Sequence, residues 1–188
     1  MSLRDWDGDC RLHLYVMNGA LWDDQNPQYF RDFFYVNDQQ GGFTNQSNLI
    51  TSEEYYGRGI SWGDYDRDGF LDLIVVRHLP EYDAKQFSTQ EPFEKTGGLA
   101  LYHNNGDGTF AAVTGLLGDT SAPATSELEP VEYFGNVWGA GFQPGWLDLD
   151  NDGDVDLYVV NDFGGKIQPN VLWRNDGPAA DGSWSFVD

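Results

Sequence analysis

The sequence predicts an all-β fold built from repeated four-stranded antiparallel sheets. A nine-residue pattern occurs twice, as D-Y-D-R-D-G-F-L-D at 64–72 and as D-L-D-N-D-G-D-V-D at 148–156. Each copy runs directly into a short β-branched segment, at 73–76 or 157–160, and such segments favour strands. Asn-Gly or Asp-Gly pairs followed by an aromatic residue recur further along, which is typical of hairpin turns. The pattern therefore indicates repeated β units.

A third, degenerate copy of the pattern lies at the N-terminus. L-Y-V-M-N at 14–18 matches L-Y-V-V-N at 157–161, and this match aligns D-W-D-G-D-C-R-L-H at 5–13 with the Asp pattern. In this copy Cys10 takes the sixth position, where the others have Gly, and His13 takes the ninth, where they have Asp.

Each unit is predicted to contain about four strands. Hairpins are expected at 33–43, 99–110 and 170–187, and apolar runs precede the intact Asp loops at 59–63 and 138–142. Four-stranded sheets repeated radially form β-propeller blades. We therefore expect a single partial propeller over residues 1–188, with approximate repeat units 1–57, 58–135 and 136–188.

Charge and cysteine content exclude several classes of function. The formal net charge of −21, from 31 acidic and 10 basic residues, repels nucleic acid and anionic membranes. Cys10 is the one cysteine of the chain, which excludes an intrachain disulfide and a cysteine zinc cluster. No apolar run approaches the roughly 20 residues of a membrane-spanning helix. Residues 1–5 carry no signal-peptide h-region, so an export signal was removed, lies upstream or does not exist.

The Asp loops predict calcium sites. Carboxylates at positions one, three, five and nine converge on one point, Gly at position six permits the turn, and position seven offers its backbone carbonyl. Calcium suits a flexible, all-oxygen site better than zinc or magnesium does. The predicted ligands are Asp64, Asp66, Asp68, Phe70 and Asp72 in one loop, and Asp148, Asp150, Asp152, Asp154 and Asp156 in the other.

Two alternatives to these sites were weighed. An EF-hand requires Glu at position twelve and a following helix, whereas Val75 or Val159 stands there and a strand follows. The second alternative is an acidic surface turn that binds no metal. For the third loop, with Asp5, Asp7 and Asp9 but His13 at the closing position, we expect an empty or weak site.

The sequence resembles FG-GAP/VCBS repeats, the calcium-binding propeller repeats of integrin α-subunits, cartilage acidic protein and ASPIC/UnbV-type proteins. The resemblance rests on W-G-D-Y-D-R-D-G-F-L-D-L at 62–73, L-D-L-D-N-D-G-D-V-D-L-Y-V-V-N-D at 147–162 and L-Y-H-N-N-G-D-G-T-F at 101–110. It implies that the Asp loops join two strands of a blade and that calcium makes them rigid. It also implies about seven blades, so that three units represent part of a propeller.

No catalytic motif is present, so a non-enzymatic structural, adhesion or protein-interaction module is expected. His13, His78 and His103 have no metal-ligand spacing, and each is interpreted as a strand or turn residue. A carbohydrate-binding or polysaccharide-active propeller is the alternative, because the chain contains seven Trp residues. The calcium loops and the resemblance predict an extracellular, periplasmic or cell-surface location, with an extracellular protein or glycan as ligand.

Overall fold

The computed structural model describes residues 1–18, 32–50, 57–77, 99–117, 141–161 and 170–187. Within these ranges the chain forms three four-stranded sheets, which we call blades 1, 2 and 3. Blade 1 contains β1 (Ser2–Arg4), β2 (His13–Val16), β3 (Phe33–Asn37) and β4 (Phe43–Asn45). Blade 2 contains β5 (Gly57–Gly63), β6 (Asp72–Arg77), β7 (Leu99–Asn104) and β8 (Phe110–Ala112). Blade 3 contains β9 (Gly141–Leu147), β10 (Asp156–Asn161), β11 (Val171–Asn175) and β12 (Phe186–Val187).

Each blade is an antiparallel meander in which strands adjacent in sequence pair with one another. The Asp loops join the first and second strands of each blade, and the Gly-containing turns join the third and fourth. Short 3-10 turns at Ser47–Leu49 and Thr114–Leu117 follow the first two blades. No helix in the described ranges is long and apolar enough to cross a membrane. The prediction of an all-β fold with four-stranded blades is confirmed.

Two strand positions differ from the sequence interpretation. Gly57, assigned to the first repeat unit, begins β5, because a register shift between Gly57 and Gly59 extends the pairing with β6. The strand before the second intact loop covers Gly141–Leu147 and so extends beyond the apolar run at 138–142. Pro144 obscured this strand in the sequence; it is tolerated because β9 is an edge strand that pairs with β10 alone. Residues 138–140 lie outside the described part.

The core consists of two apolar layers, one on each side of blade 2. Side chains of β6 alternate between them, as the period of a strand requires. Leu73 and Val75 join the layer shared with blade 1, whereas Ile74 and Val76 join the layer shared with blade 3. All four are fully buried, and each such burial is worth about 1.5–3 kcal/mol relative to exposure. Blade 2 is therefore covered by a neighbour on both faces.

The first strands of blades 2 and 3 approach closely through glycine. A Cβ atom on Gly59 would lie 2.6 Å from the carbonyl oxygen of Phe142, and one on Gly63 would lie 2.6 Å from the ring of Trp146. Both distances are too short for any side chain, so glycine at these places sets the distance between the two blades.

Buried asparagines link the first two Asp loops to the next blade. Asn104 at the end of β7 donates from Nδ2 to the carbonyl of Trp6 at 2.8 Å, and Asn175 at the end of β11 donates likewise to Tyr65 at 2.8 Å. Trp6 and Tyr65 are the second residues of the first and second Asp loops. The loops are thus fixed both to their own blade and to the one that follows.

Candidate metal centres in the Asp loops

All three Asp loops share one hydrogen-bonding scheme. The N–H of the sixth residue donates to the carboxylate of the first, from Cys10 to Asp5 at 3.0 Å, from Gly69 to Asp64 at 3.0 Å and from Gly153 to Asp148 at 3.1 Å. The N–H of the seventh residue donates to the carboxylate of the fifth in each loop as well. These bonds curl the chain so that its acidic side chains face inward.

The curl requires a left-handed backbone at positions four and six. Gly69 and Gly153 have φ of 95° at position six, which glycine adopts without strain. In the first loop glycine occupies position four instead, as Gly8 with φ of 74°, and Cys10 adopts φ of 64° at position six. The degenerate copy therefore keeps the loop conformation although its glycine has changed place.

The first, third and fifth carboxylates converge in both intact loops. One oxygen from each of Asp64, Asp66 and Asp68 lies within 4.8 Å of the others, and the second intact loop repeats this arrangement with Asp148, Asp150 and Asp152. Burial, and then the charge of Asp68, raises the pKa of Asp66. Three converging carboxylates repel one another unless a cation lies between them.

The ninth residue has a second role that the sequence did not reveal. Asp72 and Asp156 are fully buried. Asp72 accepts N–H bonds from Tyr65 at 3.1 Å and Asn104 at 2.9 Å, and Asp156 accepts equivalent bonds from Leu149 and Asn175. This carboxylate therefore ties the Asp loop to the third strand of its own blade.

The two ninth residues differ in their relation to the acidic clusters. Asp72 is grouped with Asp66 and His103, each offering one atom within 4.8 Å of the others. Among the described residues Asp156 belongs to no such group. Metal ligation by Asp72 and Asp156 stays a prediction. Each carboxylate would bind the metal through oxygen lone pairs that accept no backbone N–H hydrogen bond.

The seventh residues also differ between the intact loops. Phe70 is partly buried, and its aromatic ring lies where a Cβ on Gly106 would clash with it. Asp154 is buried, and its Oδ1 lies 2.9 Å from Nε of Arg67, which reaches across from the other intact loop. Burial raises the pKa of Asp154, and the charge of Arg67 opposes that shift. The Asp154 side chain thus pairs with Arg67, which leaves its backbone carbonyl as the predicted ligand.

His103 is a site neighbour that sequence reasoning missed. Its Nδ1 lies 3.1 Å from Oδ1 of Asp72 and 3.4 Å from Oδ2 of Asp66. The sequence signal for this contact is the position of His103 directly before Asn104. The equivalent position in blade 3, directly before Asn175, is occupied by Arg174. Arg174 pairs with Asp176 at 2.6 Å instead of with the loop. His78 lies outside the described residues.

In the first loop, Asp5, Asp7, Asp9 and His13 also offer atoms within 4.8 Å of one another, but basic side chains contact two of these carboxylates. His13 is buried, its Nδ1 accepts the N–H of Asn37 at 3.3 Å, and its Nε2 lies 3.2 Å from Oδ1 of Asp7. Because Nδ1 is an acceptor, the ring proton lies on Nε2 and faces the carboxylates. Arg11 pairs with Asp9 from the other side. His13 is the first residue of β2, as a strand interpretation requires, and its ring also contacts the carboxylates of the first Asp loop.

The three Asp loops differ in the cation that their donor atoms fit. The two intact loops offer converging oxygens, and hard cations such as calcium bind six to eight oxygen ligands. The loop of Asp5, Asp7 and Asp9 instead directs two basic side chains at its carboxylates. Asp64, Asp66 and Asp68, and Asp148, Asp150 and Asp152, are thus the residues present that fit calcium.

Comparison with known proteins supports the repeat character of these loops. Residues 5–75 match the family model described as FG-GAP-like repeat. The matched segment extends from the first Asp loop through blade 1 and across the second Asp loop into β6. A comparison with curated proteins finds no significant match. The chain therefore carries an FG-GAP-like repeat at residues 5–75.

Proposed function

We propose that this chain is a calcium-binding propeller module with one ion in each intact Asp loop. The ions are held by Asp64, Asp66, Asp68 and Asp72 with the carbonyl of Phe70, and by Asp148, Asp150, Asp152 and Asp156 with the carbonyl of Asp154. The bound ions offset carboxylate repulsion and hold the first two strands of blades 2 and 3 together. The module acts in structure, adhesion or protein interaction and not in catalysis.

The convergence of three carboxylates at the same place in two blades is the observation that carries this proposal. Backbone N–H bonds hold these side chains inward. Such an arrangement is costly without a cation because several negative groups share one small volume.

The module is proposed to act in an extracellular, periplasmic or cell-surface location, where calcium is abundant enough to fill sites of modest affinity. Its partner is proposed to be an extracellular protein. The tryptophans do not favour the carbohydrate alternative. Trp6 and Trp173 are buried, Trp62 and Trp146 pack between blades, and Trp184 packs on Tyr65. Each of the five tryptophans in the described ranges is thus buried or packs against other apolar side chains.

Isothermal titration calorimetry of the metal-free chain tests the proposal directly. We expect uptake of two calcium ions per chain, and a rise in Tm that chelator reverses. At a free calcium concentration 100-fold above Kd, each site contributes about 2.7 kcal/mol to stability. Absence of calcium uptake contradicts the proposal.

Single substitutions assign the two ions to their loops. Asp66→Asn and Asp150→Asn are each expected to lower the stoichiometry by one ion. Asp107→Asn, which removes an exposed carboxylate in a hairpin turn, is the matched control and should leave two ions bound.

A further inference from the structure

His103, Asp66 and Asp72 form a mixed nitrogen and oxygen cluster beside the three converging carboxylates of the blade 2 loop. One atom from each of the three residues lies within 4.8 Å of the other two. Nδ1 of His103 lies 3.1 Å from Oδ1 of Asp72 and 3.4 Å from Oδ2 of Asp66. Asp72 is fully buried, and the other two side chains are partly buried. The cluster therefore directs one imidazole nitrogen at two carboxylates in a partly enclosed site.

The fold holds each of these three groups in place. Oδ1 of Asp66 accepts the N–H of Asp68 at 3.3 Å, and Oδ2 faces His103. Oδ1 of Asp72 accepts the N–H of Asn104 at 2.9 Å and keeps a lone pair on the side of His103. The ring of Tyr65 lies edge-on to the imidazole, with ring centroids 6.0 Å apart. The loop, β6 and β7 thus each contribute one positioned donor.

The separations between these donors fit a small divalent metal ion. Zinc binds histidine nitrogen and carboxylate oxygen at about 2.0–2.2 Å, so that two ligands of a tetrahedral zinc ion lie about 3.4 Å apart. The distances of 3.4 Å and 3.1 Å from Nδ1 to the two carboxylates agree with this spacing. Imidazole is a ligand that zinc and other first-row transition metals favour, whereas calcium takes oxygen ligands.

The ring of His103 is free to change its tautomer. Both neighbours of Nδ1 are carboxylates, so Nδ1 carries a proton in the metal-free chain. None of the described residues donates a hydrogen bond to this ring, so nothing described fixes the proton on one nitrogen. Metal binding to histidine displaces such a proton into solution, and the metal ion takes its place.

His13 in the first loop differs from His103 in this respect. Its Nδ1 accepts the N–H of Asn37, which fixes the proton on Nε2, the nitrogen that faces the carboxylates. The guanidinium of Arg11 also pairs with Asp9 in that loop. The first loop therefore turns a proton and a cation toward its carboxylates, where the blade 2 loop turns an exchangeable imidazole nitrogen.

The third loop has no nitrogen ligand at the corresponding place. Asp150 and Asp156 stand where Asp66 and Asp72 stand in blade 2, but Arg174 stands at the place of His103. A guanidinium stays protonated and offers no lone pair to a metal ion. Arg174 pairs with Asp176 instead, at 2.6 Å. Among the described residues, the donors of the third loop are therefore oxygen atoms alone.

We propose that the blade 2 loop binds zinc, or a similar first-row transition-metal ion, through Nδ1 of His103, Oδ2 of Asp66 and Oδ1 of Asp72. Three protein ligands leave the fourth position of a zinc ion to water. The ion shares Asp66 and Asp72 with the calcium ion proposed above, and its competition with calcium rests on that proposed function. The two intact loops thus differ in selectivity: the blade 2 loop takes either ion, and the blade 3 loop takes calcium.

Titration calorimetry of the full chain with zinc chloride, after removal of metal by chelator, tests the site. We expect one zinc ion that depends on His103. His103→Val, which introduces the residue type that blade 1 has at this place as Val36, should lose that ion and still bind two calcium ions. Asp66→Asn should lose the zinc ion and one calcium ion. Asp150→Asn is the matched control and should lose one calcium ion only.

The nitrogen resonances of the three histidine rings give a readout that does not depend on heat or stability. Zinc is expected to shift Nδ1 of His103 in the spectrum of the ¹⁵N-labelled chain, and this shift should be absent in His103→Val. Cys10 is an exposed thiol that could also bind zinc. Cys10→Ser is therefore the second control, and it should leave the shift of His103 unchanged.

Competition between the two ions tests the shared ligands. At free calcium 100-fold above its Kd, the apparent affinity for zinc should fall about 100-fold, because calcium occupies Asp66 and Asp72. Sodium chloride of equal ionic strength is the control and should lower it clearly less. A zinc affinity that calcium does not change would overturn the shared use of these two carboxylates.

The results separate this inference from the proposed calcium function. A wild-type chain that binds two calcium ions and no zinc overturns the inference alone. Zinc uptake that persists unchanged in His103→Val overturns it as well, since the ion then binds elsewhere. Conversely, zinc uptake that depends on His103, in a chain that takes up no calcium, supports the mixed site and contradicts the proposed function.

Discussion

Arg11 and His13 show how single residues decide what an Asp loop binds. The first loop keeps the backbone curl of the other two, and its position-six N–H donates to Asp5 in the same way. Its carboxylates, however, face the Arg11 guanidinium and the Nε2 proton of His13. The Arg11 guanidinium and the His13 ring thus give two of these carboxylates partners from within the chain.

Replacing these two residues is expected to create a third calcium site. Arg11→Phe combined with His13→Asp gives the first loop the residue types of the second at positions seven and nine. The expected stoichiometry rises by one ion relative to the wild type, measured by calorimetry. The reverse pair, Phe70→Arg with Asp72→His, is the control and should lose one ion. A wild-type chain that already binds an ion in this loop would disprove the internal-cation interpretation.

Asp72 makes the stability of the metal-free chain depend on pH. Burial raises its pKa from 3.8 to about 7 in the folded chain, against the hydrogen bonds from Asn104 and Tyr65, which lower it. Between these two pH values the folded state holds a proton that the unfolded state has lost. The contribution of Asp72 to the free energy of unfolding therefore falls as the pH rises from 3.8 to about 7.

Thermal unfolding in chelator across this pH range measures the effect. Asp72→Asn, which keeps the neutral form at every pH, should show a weaker decline in Tm than the wild type. Asp107→Asn is the control, because the pKa of Asp107 is lowered by Thr109 and its titration falls below this range. An unchanged decline in Asp72→Asn would assign the pH dependence to other groups.

At the scale of elements, the third strands of blades 2 and 3 each end in an asparagine that joins two loops. Asn175 donates from Nδ2 to the carbonyls of Tyr65 and Val155, and its own N–H donates to Asp156. One buried residue thereby connects the second and third Asp loops. These hydrogen bonds between blades come from the asparagine side chain and not from backbone pairing between strands.

Asn175→Ala is expected to lower the free energy of unfolding by about 1–3 kcal/mol, because it leaves buried carbonyls without a donor. Chemical denaturation measures this loss. Asn37→Ala is the matched control: the same residue type at the same place in blade 1 makes one long bond to Leu12 and should cost clearly less. Equal losses for both variants would refute a special role for the contact between blades.

At the scale of the whole molecule, the excess of acidic residues opposes the compact state. A formal charge of −21 on 188 residues creates repulsion that folding intensifies. Salt reduces this repulsion by screening, and a bound divalent ion reduces it locally. The two agents should therefore be partly interchangeable in their effect on stability.

Raising sodium chloride from about 10 mM to about 150 mM shortens the Debye length from about 30 Å to about 8 Å. The Tm of the chain in chelator is expected to rise over this range. The same titration with saturating calcium serves as the control and should give a smaller rise. A Tm in chelator that is independent of salt would contradict the importance of net repulsion.

Much of the fold could be read from the sequence because its signals are local. Asp-x-Asp-x-Asp-Gly fixes a loop, the β-branched segments after it fix strands, and Asn/Asp-Gly pairs fix hairpins. These signals predicted three four-stranded units and the convergence of Asp64, Asp66 and Asp68. The first strand of blade 3 was misplaced because the edge strand contains Pro144, which removes the usual strand signal.

The sequence by itself determined the loops, the strands and the residue types that converge in each acidic cluster. Tertiary structure alone decided the contacts between distant segments: His103 beside Asp72, Arg67 beside Asp154, and Asn175 beneath Tyr65. It also decided which apolar residues are covered, since Ile74 and Tyr158 hold the same place in their repeats but differ in burial. The reason is physical: a loop pattern is set by bonds between near neighbours, whereas burial depends on whether another blade lies against the face.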